Sequence, residues 1–119
     1  MNLKYFTLDE FSSPDLPNSG INMDSTLLDL LDTLREHYGK PLRITSGYRT
    51  KEHNEAVGGV PNSSHLRGYA VDIAATSSGE RHDILKLAMD IGFNRIGIAK
   101  SFIHLDNDPA KPAGLVWTY

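Results

Sequence analysis

The chain contains no cysteine. Disulfides and thiolate metal sites are therefore excluded, and any metal must be held by imidazole, carboxylate, carbonyl or water. The same absence leaves the redox compartment open, because a protein without thiols works in any of them. No run of about 18 apolar residues is present, so no membrane-spanning helix is expected. The N-terminal stretch MNLKYFTLDEF lacks the basic-then-apolar form of a secretory signal. Synthesis in the cytoplasm without that export route is the expectation. A strong charge of one sign is lacking too. The formal net charge of −3 offers no electrostatic reason to expect nucleic acid or an anionic membrane as partner. Internal repeats and low-complexity segments are also absent.

What is present describes one globular domain. A hydrophobic content of 39% with 23% charged residues is that of a folding chain rather than a disordered one. At 119 residues the chain suffices for one core and is short for two. A single monomeric domain over residues 1–119 is expected.

Turn formers crowd residues 12–22, SSPDLPNSGIN, which read as a surface loop. A helix follows from Met23, with Asp24 or Ser25 as cap and Leu27, Leu28, Leu30, Leu31 and Leu34 as its apolar stripe. Gly39 and Pro41 end it. Residues 42–46 form a predicted strand with Leu42 and Ile44 inward, and residues 50–57 a short helix closed by Gly58 and Gly59. A loop over residues 62–68 leads into a second strand at 69–75. Ser77 and Glu80 fit a capping box for a helix whose inner face carries Ile84, Leu85, Leu87, Ala88 and Ile91, with Gly92 as its stop. Residues 95–99 and 102–106 pattern as a tight hairpin, and residues 115–119 as an edge strand. Helices and strands mix without regular alternation, which predicts an α+β fold with a central antiparallel sheet flanked by helices.

Two strands each carry an anomaly. In the stretch SSHLRGYAVDIAA, alternation places Val71 and Ile73 on one face and Ala70, Asp72 and Ala74 on the other. In FIHLD, Ile103 and Leu105 share a face, opposite Phe102, His104 and Asp106. A carboxylate inside a small sheet costs several kcal/mol, of order, unless a cation or hydrogen-bond donors meet it. His65 lies in the loop just before Asp72. Two imidazoles and one carboxylate suffice as the protein ligands of a catalytic zinc, the fourth position being left to water. The spacing by itself also fits hydrogen-bonded core residues, and no H-E-x-x-H helix is present.

The motif S-x-H-x-x-G-x-A-x-D, spanning Ser63, His65, Gly68, Ala70 and Asp72, resembles the signature of the zinc D-Ala-D-Ala carboxypeptidase family. That family shares its fold with phage cell-wall endopeptidases and with the signalling domain of hedgehog proteins. The likeness extends upstream to ITSGYRTKEHNEAVGGVPNSSH and downstream to FIHLD, over roughly residues 3–119. It implies a hedgehog-like, DD-peptidase-like zinc fold and one Zn2+ ion held by His65, Asp72 and His104. The implied activity is a zinc peptidase, either carboxypeptidase or endopeptidase, acting on the stem peptides of peptidoglycan. Arg49 falls on the family arginine that holds a substrate carbonyl or carboxylate, a role suited to a permanently charged guanidinium.

One position departs from the family. Many members place a carboxylate general base three residues before the last histidine ligand, where this chain has Ser101, and a hydroxyl is too weak a base to replace it. A branch of the family instead carries an acid two residues after that histidine, here Asp106. Asp106 is the expected general base, with orienting partner of the His104 imidazole and ordinary strand-end residue as its other open roles. Asp108 is a weaker candidate base that reads as a turn residue, His53 reads as a solvated helix residue with a place in the cleft as its alternative, and His37 and His82 read as surface groups. Trp117 reads as an anchor of the last strand against the core, with a wall-binding contact as its alternative. A compact domain of this kind suits a phage-encoded lysis or tail-associated enzyme of endolysin type, or a bacterial homologue. The rival readings are a zinc-holding module that binds a cell-wall peptide or protein without cleaving it, and a purely structural domain.

Overall fold

The computed structural model describes residues 2–119. Three helices and five strands follow one another as α1 (Ser25–Tyr38), β1 (Ile44–Ser46), α2 (Lys51–Ala56), β2 (Ala70–Ala74), α3 (Ser78–Ile91), β3 (Arg95–Ile98), β4 (Phe102–Asp106) and β5 (Leu115–Thr118). The sheet order is β1-β2-β4-β3-β5. The first three pairings in that order are antiparallel, as expected, whereas β5 runs parallel to β3 at the edge. The class is therefore α+β with a mixed, mostly antiparallel sheet. Among the described residues no helix is long and apolar enough to cross a membrane.

Local chemistry sets the helix ends. Asp24 caps α1 by accepting the Leu27 N–H at 3.0 Å, and Gly39 closes it in the left-handed conformation at φ 74°. Ser77 accepts the Glu80 N–H at 3.1 Å at the start of α3, and the Glu80 carboxylate reaches back to Ser77 Oγ and Thr76. Leu27, Leu28, Leu31 and Leu34 of α1 and Ile84 and Ala88 of α3 are buried together with Val71, Ile73, Ile96, Ile103 and Leu105. One face of the sheet is thus the core. Each fully buried aliphatic side chain contributes about 1.5–3 kcal/mol relative to exposure.

The opposite face carries the chemistry. Register aligns Ser46, Asp72, His104, Gly97 and Trp117 as neighbours in one row across all five strands. Residues paired across a sheet project to the same side, so this row faces away from the core. Trp117 departs here from the sequence expectation. It lies across the site face rather than against the core, because its partner in the row is Gly97. A Cβ at Gly97 would sit 2.6 Å from the Trp117 Nε1, so only glycine lets the indole lie over this strand beside His104.

The segment 12–22 also differs from the expected surface loop. A 3-10 turn occupies Ser19–Asn22, and Ser13 and Ser19 are buried. The serine hydroxyls cause this: Ser19 Oγ accepts the Ser13 N–H at 2.8 Å, and Ser12 Oγ accepts the Gly20 N–H at 2.9 Å. The loop is folded onto itself by its own polar side chains.

Candidate metal centre

A 3-10 turn at Ser64–Arg67 presents His65 to the row, in what sequence alone reads as a loop. Gly47 positions the ring: its carbonyl accepts from His65 Nδ1 at 2.7 Å. A carbonyl can only accept, so the proton sits on Nδ1 and the Nε2 lone pair is left facing Asp72. Gly47 is itself constrained, since a Cβ there would meet the Phe11 carbonyl oxygen at 2.7 Å.

His104 is oriented in the reverse sense. Its Nε2 faces Asp106 Oδ2 at 2.6 Å, and its Nδ1 faces Asp72 Oδ1 at 3.0 Å. His65 Nε2 stands 3.3 Å from the same Asp72 oxygen. One ligand atom from each of His65, Asp72 and His104 therefore falls within 4.8 Å of the others, and all three residues are buried. Ligands at about 2.0–2.1 Å from a tetrahedral zinc stand about 3.3–3.4 Å apart, close to the spacings seen. The donor set fits zinc: each imidazole turns one nitrogen to the common point and its other nitrogen to an acceptor. The three residues that sequence singles out as ligands are thus brought together.

Charge follows this geometry. Burial alone would raise the Asp72 carboxyl, but the hydrogen bond from His104 and the neighbouring His65 imidazole outweigh it and hold the group far below the usual carboxylate range. Burial alone would lower His104, yet its hydrogen bonds to Asp106 and Asp72 raise it above the ordinary imidazole value.

Arg49 borders the cluster on the β1 side. Its Nε donates to Ser46 Oγ at 2.9 Å, Nη1 to Asn54 Oδ1 at 3.1 Å and Nη2 to Asp72 Oδ2 at 3.3 Å. Three of five N–H donors are used, and two remain for a ligand. Asp106 lies on the other side, 1% exposed, with both oxygens engaged. Its Oδ1 accepts from Arg95 Nε at 2.8 Å and from the Asp108 N–H at 3.1 Å. The Trp117 ring lies 5.4 Å from the His104 ring, centroid to centroid, with the Arg95 guanidinium 5.1 Å from the indole. His53 does not line the cleft, and His37 and His82 are exposed.

Sequence reasoning missed Asn54, Arg95 and the weight carried by Asp108. Asp108 is buried, accepting from Ser64 Oγ at 2.7 Å and the Ala110 N–H at 2.9 Å and pairing with Arg67. It ties the turn bearing His65 to the chain that leaves β4. The Asn-Asp-Pro turn signal in sequence announces the local bond to Ala110 but not the bond to Ser64, 44 residues away. Burial would raise this carboxyl; the hydrogen bonds from Ser64 and Ala110 and the Arg67 charge lower it below its ordinary 3.8. A depressed carboxyl stabilises the fold above its unfolded pKa, and that stabilisation is lost as pH falls through the folded value. Asp108→Asn is therefore expected to cost about 1–2 kcal/mol at pH 7, chiefly through the buried Ser64 bond because Arg67 is half exposed. Urea unfolding at pH 7 and pH 3 checks this: the gap to the native chain should narrow at the lower pH, and an undiminished gap would mean that the carboxylate charge plays no part.

The cluster opens into a cleft of about 360 Å³, walled by Val57 and Val60 on one side and by Phe102, Trp117 and Tyr119 on the other. An α+β domain that turns two imidazoles and a carboxylate into such a cleft has the donor set of a metal-dependent hydrolase. The chain belongs to the peptidase M15 family, whose model matches residues 4–106. It is also similar to the zinc D-Ala-D-Ala carboxypeptidase of Streptomyces albus G, with 40% identity over 50 residues. That match covers 41% of this chain and spans a fifth (20%) of the relative's length.

Proposed function

We propose that this protein is a zinc peptidase that hydrolyses stem peptides of peptidoglycan. The observation carrying this reading is the convergence of His65, Asp72 and His104 on one point in an open cleft of a peptidase M15 chain. The substrate class is taken from the named relative and from the resemblance of the motif.

His65, Asp72 and His104 would hold a zinc ion, which would supply Lewis acidity and lower the pKa of a water toward about 7. The chain's own groups do the rest. Asp72 would hold the ion while its Oδ2 accepts from Arg49, an arrangement that would keep the guanidinium next to a carbonyl brought to the cluster. The two free N–H groups of Arg49 stabilise the negative charge that develops on that oxygen. Asp106 orients His104 through Nε2 and balances its charge. Of the three roles open to Asp106 in the sequence, this one is favoured, since both its oxygens already accept hydrogen bonds.

A second reading is favoured by one observation. Among the described residues lining the cleft Asp72 and Asp106 are the only acidic side chains, both are engaged, and Ser101 is exposed and does not line it. A module that holds zinc and binds a cell-wall peptide without cleaving it needs no free base. Incubation of the zinc-loaded protein with purified peptidoglycan separates the two. Release of alanine or of cleaved stem peptide, abolished by a chelator and restored by zinc, is the result expected of the enzyme. Retention of the protein on the wall with no product released would establish the binding module instead.

A further inference from the structure

Lys111 is the cation that the site does not use. It lies in the chain between β4 and β5, half-buried, and lines the same cleft as the metal centre. Among the described residues its ammonium makes no ion pair and no hydrogen bond, and only its backbone N–H is engaged, with the Asp108 carbonyl at 3.2 Å. The two carboxylates nearby cannot serve it. Asp106 is held by Arg95 and His104, and Asp108 by Arg67 and Ser64. Burial, with Arg95 and Arg67 adding repulsion, pushes this lysine below its ordinary value, while Asp108 and Asp106 oppose the shift. A half-desolvated ammonium lacking a partner is a cost to the fold that an incoming anion would relieve.

Its place gives that anion a position. Arg49 follows β1, at one end of the sheet order, whereas Arg95 is on β3 and Trp117 on β5, at the other end. Lys111 is close enough to Asp108, Asp106, Arg95 and Arg67 to feel their charges, which puts it toward the Asp106 side of the cluster. The cleft thus carries a cation on each flank of the His–Asp–His cluster, and only the one at Arg49 is anchored to the cluster through Asp72. Phe102 and Tyr119, with ring centroids 5.2 Å apart, line the cleft along with Trp117 and provide an apolar wall for a small side chain.

We propose that Lys111 binds a free carboxylate of the substrate and so selects peptides that carry one on the β3 side of the cut bond. The proposal rests on the peptidase reading. Either a terminal α-carboxylate or an acidic side chain supplies the same chemistry, and a set of three peptides distinguishes them. The first is an acetylated tripeptide ending in D-Ala-D-Ala, the second its C-terminal amide, and the third that amide with D-Glu as the last residue. The native protein, Lys111→Met and Lys111→Arg are loaded with zinc and compared on all three.

The native chain should favour a carboxylate-bearing peptide over the plain amide by about tenfold in kcat/KM, expressed in KM, as a charge-assisted hydrogen bond would give. Preference for the first peptide alone assigns the terminal carboxylate, and preference for the third assigns an acidic side chain. Lys111→Met should erase the preference and Lys111→Arg should keep most of it. A preference that survives in Lys111→Met overturns the proposal and leaves the peptidase reading standing. If the native protein cleaves none of the peptides, the peptidase reading fails on these substrates, and calorimetric binding of the same peptides decides about Lys111. Binding weakened about tenfold in Lys111→Met, and only for a carboxylate-bearing peptide, then supports the assignment, whereas equal binding by the two proteins overturns it.

Discussion

Asp72→Ala is expected to abolish stoichiometric zinc binding and with it any zinc-dependent hydrolysis. The loss should exceed the roughly 10–100-fold that follows removal of an outer hydrogen-bond partner, because a direct ligand and its charge disappear together. The same substitution strips the metal-free protein of the anion that Arg49 and His104 face. Leaving them opposed without their anion should cost about 3–5 kcal/mol, the range for breaking a buried pair from one side. Metal analysis of the purified variant and thermal unfolding in chelator measure the two effects separately. Wild-type zinc content in Asp72→Ala would remove Asp72 from the ligand set.

Asp106→Asn is the second large effect. The amide keeps the shape of the carboxylate but not its charge, so His104 Nε2 and Arg95 both lose the anion between them. Zinc affinity should fall about 10–100-fold, the usual consequence of losing an outer carboxylate on a ligating imidazole. Hydrolysis at saturating zinc should then recover substantially. The alternative outcome is equally informative. If zinc affinity is unchanged and turnover still vanishes at saturation, Asp106 is the proton acceptor and the orienting role is wrong. A competitive zinc chelator titration combined with activity at saturating zinc reads both quantities.

Two of the three candidate ligands, Asp72 and His104, could be found from sequence because each breaks a local rule. Asp72 and His104 sit at mid-strand, on the polar phase of strands whose other phase is aliphatic, and an acid or imidazole there has to be met by something. His65 was legible by a different route, through the motif shared with a known family, since a loop histidine breaks no pattern. The helix ends at Asp24, Gly39, Ser77 and Gly92 were legible too, because caps are local chemistry read within a turn of the chain. Trp117 and Asp108 were not. An aromatic at the end of a strand satisfies the core and the cleft equally well in sequence. The choice between them lies in β5 pairing parallel with β3, which puts Gly97 under the indole. Asp108 looked like a turn residue, as it is, while its partner Ser64 belongs to a distant segment.

Periodicity and turn chemistry in this chain therefore settled where the three helices and five strands fall and, in β2 and β4, which side chains face away from the core, since each depends on neighbours a few residues off. Partnership was decided by the folded sheet alone. Only its order and register show that both oxygens of Asp106 are occupied, that Arg49 and Lys111 stand on opposite flanks of one cluster, and that one of these cations lacks an anion. Those facts are distances between residues far apart along the chain, and a linear pattern carries no such distances.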